Sequence, residues 1–188
     1  MRDDNELMRR IGRGDKKAFQ ILYNRYKRQI FLYCFRFLND REAAKDTLQE
    51  VFVRLYENSK KYNPESNFAA WIHTIARNLC INVQRNSKKY VDFTELRAKE
   101  YVDFTELREV DPEAETSNVL LREKLADAVA DLPEIFREAL ILREYGDCSY
   151  NQIAKITGQN LATIKYRIFR GRELLRERLG HWLDELNS

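Results

Sequence analysis

Apolar residues recur every three or four positions through most of this chain, and that spacing commits it to helices that bury one face against another. After Asp15, a helix-capping residue type, Phe19, Leu22, Tyr23, Tyr26, Ile30 and Tyr33 mark a helix running to about Leu38. Asn39 and Asp40 read as a turn, with Asp40 placed to cap a second helix. Its stripe is Ala43, Ala44, Thr47, Leu48, Val51, Phe52 and Leu55. A loop over 58–67 holds Lys60, Lys61, Tyr62 and Pro64. Ser66 or Asn67 then caps a third helix with Phe68, Trp71, Ile72, Ile75, Leu79 and Val83. Faces this wide must cover one another, which predicts an all-α bundle for the first half.

The middle breaks the pattern. The octapeptide YVDFTELR stands at Tyr90–Arg97 and again at Tyr101–Arg108. Two copies are too few and too short for a solenoid, so a local duplication in a length-tolerant linker is the reading. The alternative is a short segment whose Tyr, Val, Phe and Leu dock on a domain. The expected division is therefore a helical domain over 1–88, a linker over 89–115 and a second helical domain over 116–188. In the last, Leu120, Leu121, Leu125, Ala128, Val129 and Leu132 form one stripe. Pro133 suits the first turn of a helix carrying Phe136, Ala139, Leu140 and Leu142. Gly146 and Asp147 end it.

From Ser149 the spacing is that of a helix-turn-helix. Ser149 and Gln152 match a capping box, Ile153, Ala154 and Ile156 form a short apolar face, and Gly158 suits a tight turn with positive φ. Asn160 can cap a second helix in which Leu161, Ile164, Ile168, Leu174 and Leu175 point inward. Thr163, Lys165, Tyr166, Arg167, Arg170 and Arg172 fall off that stripe. In such motifs the first helix braces and the second enters the major groove, where Arg pairs with guanine and a methyl or ring meets thymine.

Charge supports this only once it is divided. The net charge is +3, but residues 1–85 carry 17 Lys/Arg against 10 Asp/Glu, and 86–118 carry 5 against 9. Ser149 to Arg172 holds five basic residues and no acidic one, the local excess a phosphate surface needs. The bland counterpart is a solvated basic face. Other classes are disfavoured. No run approaches the ~20 apolar residues of a membrane span, and the N-terminus lacks the apolar core of a signal peptide. Cys34, Cys80 and Cys148 stand far apart beside only two histidines, which fits buried free thiols in a reducing cytoplasm better than a metal site. With no phosphate loop and no convergent acid–base motif, neither a cofactor nor enzymatic activity is expected.

Four segments carry a family resemblance. AFQILYNRYKRQIFLYC (Ala18–Cys34), AAKDTLQEVFVRLYEN (Ala43–Asn58) and NFAAWIHTIARNLCINVQRN (Asn67–Asn86) lie in the first half. LPEIFREALILREYGDCSYNQIAKITGQNLATIKYRIFRGRELL (Leu132–Leu175) lies in the second. In this order and spacing the chain resembles the extracytoplasmic-function group of sigma factors, the small two-domain members of the sigma-70 family. The resemblance implies two domains, sigma-2 and sigma-4, and a polymerase subunit that reads promoters.

It also implies residue roles. Thr163, Lys165, Tyr166, Arg167, Arg170 and Arg172 would read the −35 element. Tyr62, Asn63, Arg77, Asn78, Asn82, Arg85 and Lys88 would read and hold the −10 region, with the loop before Phe68 capturing a flipped base. Asp46, Gln49, Glu50 and Arg54 would dock on the beta-prime clamp helices of core RNA polymerase. The beta flap, promoter DNA and an anti-sigma factor are the other implied partners. Trp71 is expected in the core. The family commonly shows Ser where this chain has Tyr166, Asp where it has Asn82, and Ala where it has Gly171. The glycine is expected to cost up to about 1 kcal/mol of helix propensity. Two rivals share the C-terminal motif: a helix-turn-helix regulator that is not itself a sigma subunit, and a protein-binding helical module.

Overall fold

The computed structural model describes residues 3–90 and 124–186. Among the described residues every regular element is helical. The N-terminal unit comprises α1 (Asp4–Gly12), α2 (Lys16–Leu38), α3 (Arg41–Glu57), a 3-10 turn at Ser59–Lys61 and α4 (Phe68–Tyr90). The C-terminal unit comprises α5 (124–130), α6 (Glu134–Glu144), α7 (Tyr150–Thr157) and α8 (Leu161–Leu186).

Short polar side chains start each of the long N-terminal helices, as their type and position predict. Asp15 accepts from the backbone N–H groups of Lys17 and Ala18 at 2.9 and 3.1 Å. Its second oxygen takes the Arg10 guanidinium, which holds the carboxyl below its usual range. Asp40 caps α3 through Ala43, and Asn67 caps α4 through Ala70, each at 2.9 Å. Asn39 closes α2 in the left-handed conformation, with φ of 52°. Between them, α2, α3 and α4 bury Tyr33, Leu55, Ile72 and Ala76 completely.

Helix α1 was not foreseen. Asp3 caps it, and Leu7, Met8 and Ile11 close one side of the bundle. Its Asp4 carboxylate takes Arg25 and the Tyr26 hydroxyl, tying the helix to α2.

In the C-terminal unit the capping box forms in full. The Ser149 hydroxyl accepts from Gln152 N at 3.3 Å, and the Gln152 side chain accepts from Ser149 N at 2.6 Å. Gly158 turns the chain with φ of 68°, and Asn160 caps α8 by accepting from Thr163 N at 2.8 Å. Ile153, Ile164 and Ile168 lock α7 and α8 onto α6.

Three expectations change here. Pro133 stands at the N-cap of α6, one residue before its first turn. Leu161 does not point inward; it is 38% exposed, because Ile164 and Ile168 already fill the contact with α6 and α7. Gly171 has a packing reason for lacking a side chain. A Cβ there would stand 2.8 Å from Leu140 Cδ1 and 3.4 Å from Phe136 Cβ, so glycine lets α8 lie close on α6.

The two units pack together, α4 against α7 and α2 against α6, and their apolar cores run into one cluster. Helix α4 continues to Tyr90, two residues past the expected domain end. The rest of the expected linker, with all but the first residue of the duplicated octapeptides, lies outside the described residues, as do Leu120 and Leu121. Cys34, Cys80 and Cys148 are free and buried, and burial pushes the Cys148 thiol up to about 12.

Candidate nucleic-acid interface

The second helix of the helix-turn-helix presents its polar side to solvent. Lys165, Tyr166 and Arg172 are exposed, while Thr163, Arg167 and Arg170 are half-buried on its flank. Intramolecular carboxylates offset part of this charge. Arg170 bridges Glu173 at 3.1 Å and Glu177 at 3.5 Å, and Arg172 reaches Glu144 of α6 at 2.7 Å. No ion pair to Lys165 or Arg167 is found among the described residues. Of the five cations in the run, Arg170 and Arg172 thus form a buffered rim, since acids from outside the run fold back onto them.

On α4 the expected residues separate. Asn78, Asn82 and Arg85 share one exposed face at helical spacing, with the Arg85 guanidinium 3.5 Å from Asn82 Oδ1. Arg77 lies on a different face and is committed elsewhere: Nε donates to Glu138 of α6 at 2.6 Å, and the second nitrogen lies at 3.4 Å. In this arrangement Arg77 is not available to a DNA backbone. The side chain of Lys88 lies outside the described residues.

The loop before α4 needs a second correction. Tyr62, expected to offer a ring to a flipped base, is only 8% exposed. Its hydroxyl sits 2.7 Å from Asn5 Oδ1 and 3.1 Å from the Ser66 carbonyl oxygen, and its ring meets the edges of Phe68 and Trp71. Burial raises the pKa of that hydroxyl. Tyr62 therefore shapes the loop from inside and ties it to α1. Trp71 is half-buried beside it. Asn63 is exposed at the tip, with Oδ1 accepting from Glu65 N at 2.9 Å.

The seam between the units is held by polar groups as well as apolar ones. Besides Arg77–Glu138, Gln152 Nε2 donates to Asn67 Oδ1 at 2.9 Å, and the Arg36 guanidinium lies over the Tyr145 ring at 5.2 Å. The same seam holds buried groups with no hydrogen-bond partner, the Tyr33 hydroxyl and His73 Nε2. The His73 ring meets Tyr33 edge-on, and a Cβ on Gly146 would come within 3.0 Å of its Nε2. Burial holds this imidazole neutral, below its ordinary pKa. A buried unpaired polar group costs roughly 1–3 kcal/mol, so the seam is less completely satisfied than either core.

On α3, Asp46, Gln49 and Arg54 are exposed, and Arg54 donates to Glu50 at 2.7 Å. Beside them stand two apolar residues not singled out from sequence, Val53 and Tyr56, about half exposed. Phe169 of α8 was also missed, although it is the most exposed large apolar residue described. Its position one turn beyond Tyr166 and off the Ile164–Ile168 stripe was the available signal. Among the described residues no group of three His, Cys, Asp or Glu side chains could hold a metal ion, and no helix is long and apolar enough to cross a membrane.

An all-helical chain ending in a cationic helix-turn-helix falls in the class of DNA-binding transcription proteins. Comparison with known proteins narrows this. The Sigma-70 region 2 model matches residues 22–90, and the Sigma-70, region 4 model matches 122–175. The RNA polymerase sigma-H factor of Pseudomonas aeruginosa is 32% identical over 186 residues, covering 97% of this chain and 96% of that protein. The ECF RNA polymerase sigma-E factor of Haemophilus influenzae is 33% identical over 180 residues, covering 94% and 95%. In fold, the chain resembles CnrH, solved in complex with the cytosolic domain of CnrY. The TM-score is 0.72 at 20% identity, over 95% of this chain and 97% of that one. The sigma factor RpoE of Bartonella quintana, solved with the anti-sigma factor NepR, gives 0.69 at 24%, covering 87% and 98%.

The chain belongs to the sigma-70 family, as a sigma factor of the extracytoplasmic-function group. Its function is to direct promoter recognition by RNA polymerase. That sets aside both rivals, the regulator that is not a sigma subunit and the protein-binding module.

Proposed function

We propose the following division of labour within that function. Helix α8 enters the major groove of the −35 element, with Thr163, Tyr166 and Arg167 at base edges and Lys165, Arg170 and Arg172 at phosphates. The loop at Asn63 and the face Asn78–Asn82–Arg85 of α4 take the −10 region, holding unpaired bases so that the duplex does not reclose. Arg77 and Lys88 join that set. Asp46, Gln49, Glu50 and Arg54 on α3 dock on the beta-prime clamp helices, and the C-terminal unit meets the beta flap. An anti-sigma factor is a further partner, in keeping with the neighbours solved as complexes of that kind.

The observation that carries this reading is the pair of solvent-facing polar surfaces on separate helical units of one chain, Asn78–Asn82–Arg85 and Lys165–Arg167. Two units reading two elements need no nucleotide hydrolysis, because melting is driven by the contacts made to opened bases. Arg77 reaches DNA only once α6 has moved away, since Glu138 occupies its guanidinium. Run-off transcription with purified core polymerase tests the proposal. Initiation at defined sites, lost on combined Asn78→Ala, Asn82→Ala and Arg85→Ala substitution and made less selective at the −35 element by Arg167→Ala, supports it. Unchanged start-site choice in both variants sinks it.

A further inference from the structure

We infer that Tyr166 and Phe169 form an apolar reading edge on α8 that selects thymine in the −35 duplex through its 5-methyl group. The inference rests on α8 being the −35 helix and adds what that helix reads. Tyr166 is 60% exposed and Phe169 63%, on a helix whose inward contacts are already filled by Ile164 and Ile168. Spaced three residues apart, they lie on neighbouring turns of one face. Leu161 and Ala162, both exposed, extend the strip toward the start of the helix.

The edge is braced as well as exposed. Phe136 of α6 meets the Tyr166 ring at 6.2 Å with planes 68° apart. The close approach of α8 to α6 that places this ring depends on Gly171. Lys165 and Arg167 stand beside the strip without an ion-pair partner among the described residues, and Arg172 lies on its rim. Cations flanking bare rings favour an anionic partner with an apolar feature at the centre. In the major groove that feature is the thymine C5-methyl, which cytosine and the purines lack. An apolar protein segment would match the rings but would leave Lys165 and Arg167 unanswered.

Replacing thymine by deoxyuridine removes this methyl and keeps every hydrogen-bonding group. The test uses holoenzyme assembled from the full chain and core polymerase. The probes are −35 duplexes, taken from a mapped start site, with each thymine replaced in turn. The wild-type protein is expected to lose about fourfold in affinity at a contacted position, as burial of one methyl group implies. Tyr166→Ser with Phe169→Ala is expected to bind thymine and uracil duplexes alike, while Tyr166→Phe keeps the discrimination because it keeps the ring. Equal wild-type affinity for both duplexes overturns the inference, as does a −35 element without thymine. An equal uracil penalty in wild type and double variant also overturns it, by assigning the effect to DNA shape. If no duplex binds at all, the −35 role of α8 has failed instead, so the two failures are distinct.

Discussion

Helices α4 and α8 are the two proposed reading helices, and they are presented in opposite ways. Helix α8 turns its cations and aromatic edge to solvent, and its buried residues face its own unit. Helix α4 has one open face, while another, carrying His73 and Arg77, is closed beneath α6 and α7. The chemistry of the two contacts differs accordingly. The contact of α8 with α6 is apolar at its centre, where Gly171 lies against Leu140 and Phe136, and the ion pair Arg172–Glu144 sits at its exposed rim. The cover over α4 contains an ion pair, an amide–amide hydrogen bond and polar atoms left without partners. Those unpaired polar atoms favour opening, because they regain hydrogen bonds in water, and they offset part of the apolar contact that joins the two units.

The comparison is broken most forcefully at Glu138, which is nearly buried. Glu138→Ala leaves the Arg77 guanidinium without its carboxylate, and breaking such a pair costs about 3–5 kcal/mol where both partners are buried. Arg77 keeps about a quarter of its side chain in water, so the lower end applies. The expected result is faster amide hydrogen exchange along α4 around residues 72–80 in the free protein. Exchange across α2 and α3 is expected to stay as in wild type, and a chain that instead unfolds as a whole would make the seam part of one core.

A smaller effect sharpens the other side. Arg167→Ala is expected to cost about 1–3 kcal/mol of −35 binding and to relax preference at one base pair. Lys165→Ala is expected to weaken all duplexes alike and to lower the salt slope by about 0.9. Equal behaviour of the two variants in duplex titrations at several salt concentrations would remove the distinction between base and phosphate contacts.

The smallest expected effect is that of pH. Burial keeps His73 neutral under its cover, whereas in the open form the ring regains its ordinary pKa of 6.5. The open form therefore takes up the extra proton. Closure is fully favoured above about pH 6.5 and weakens as pH falls below it. Tyr33, the titratable ring facing His73 from α2, stays neutral throughout because burial raises it far above that range. Loss of α4 exchange protection between about pH 7.5 and about pH 5.5, after correction for intrinsic exchange, checks the sign. Protection that rises on acidification would contradict it.

What could be read from sequence was what neighbouring residues decide. Asp15, Asp40, Asn67, Ser149–Gln152, Gly158 and Asn160 act within four residues of themselves, and each forms the cap or turn its type predicts. Helix α1 escaped because its three apolar residues are scattered among charges in only nine positions. The site residues that changed meaning did so through distant partners. Arg77 finds Glu138 sixty-one positions away, and Tyr62 finds Asn5 fifty-seven positions away. Gly171 looked like a flaw in a helix until Leu140 was placed against it. Periodicity gives no warning of such pairings, because it records which face is apolar and not what that face meets.

The central claim is that the covered face of α4, with Arg77, serves promoter DNA only after the C-terminal unit has left it. Glu65 and Lys155, exposed on the two sides of a shared cleft, allow a direct trial. With the native cysteines buried, Glu65→Cys with Lys155→Cys can be joined by a short thiol-reactive linker. Run-off transcription by core polymerase is then compared with and without the tie. Loss of initiation in the tied protein and normal initiation in the untied one is the predicted result. A tied protein that opens promoters as well as the untied one would contradict the account.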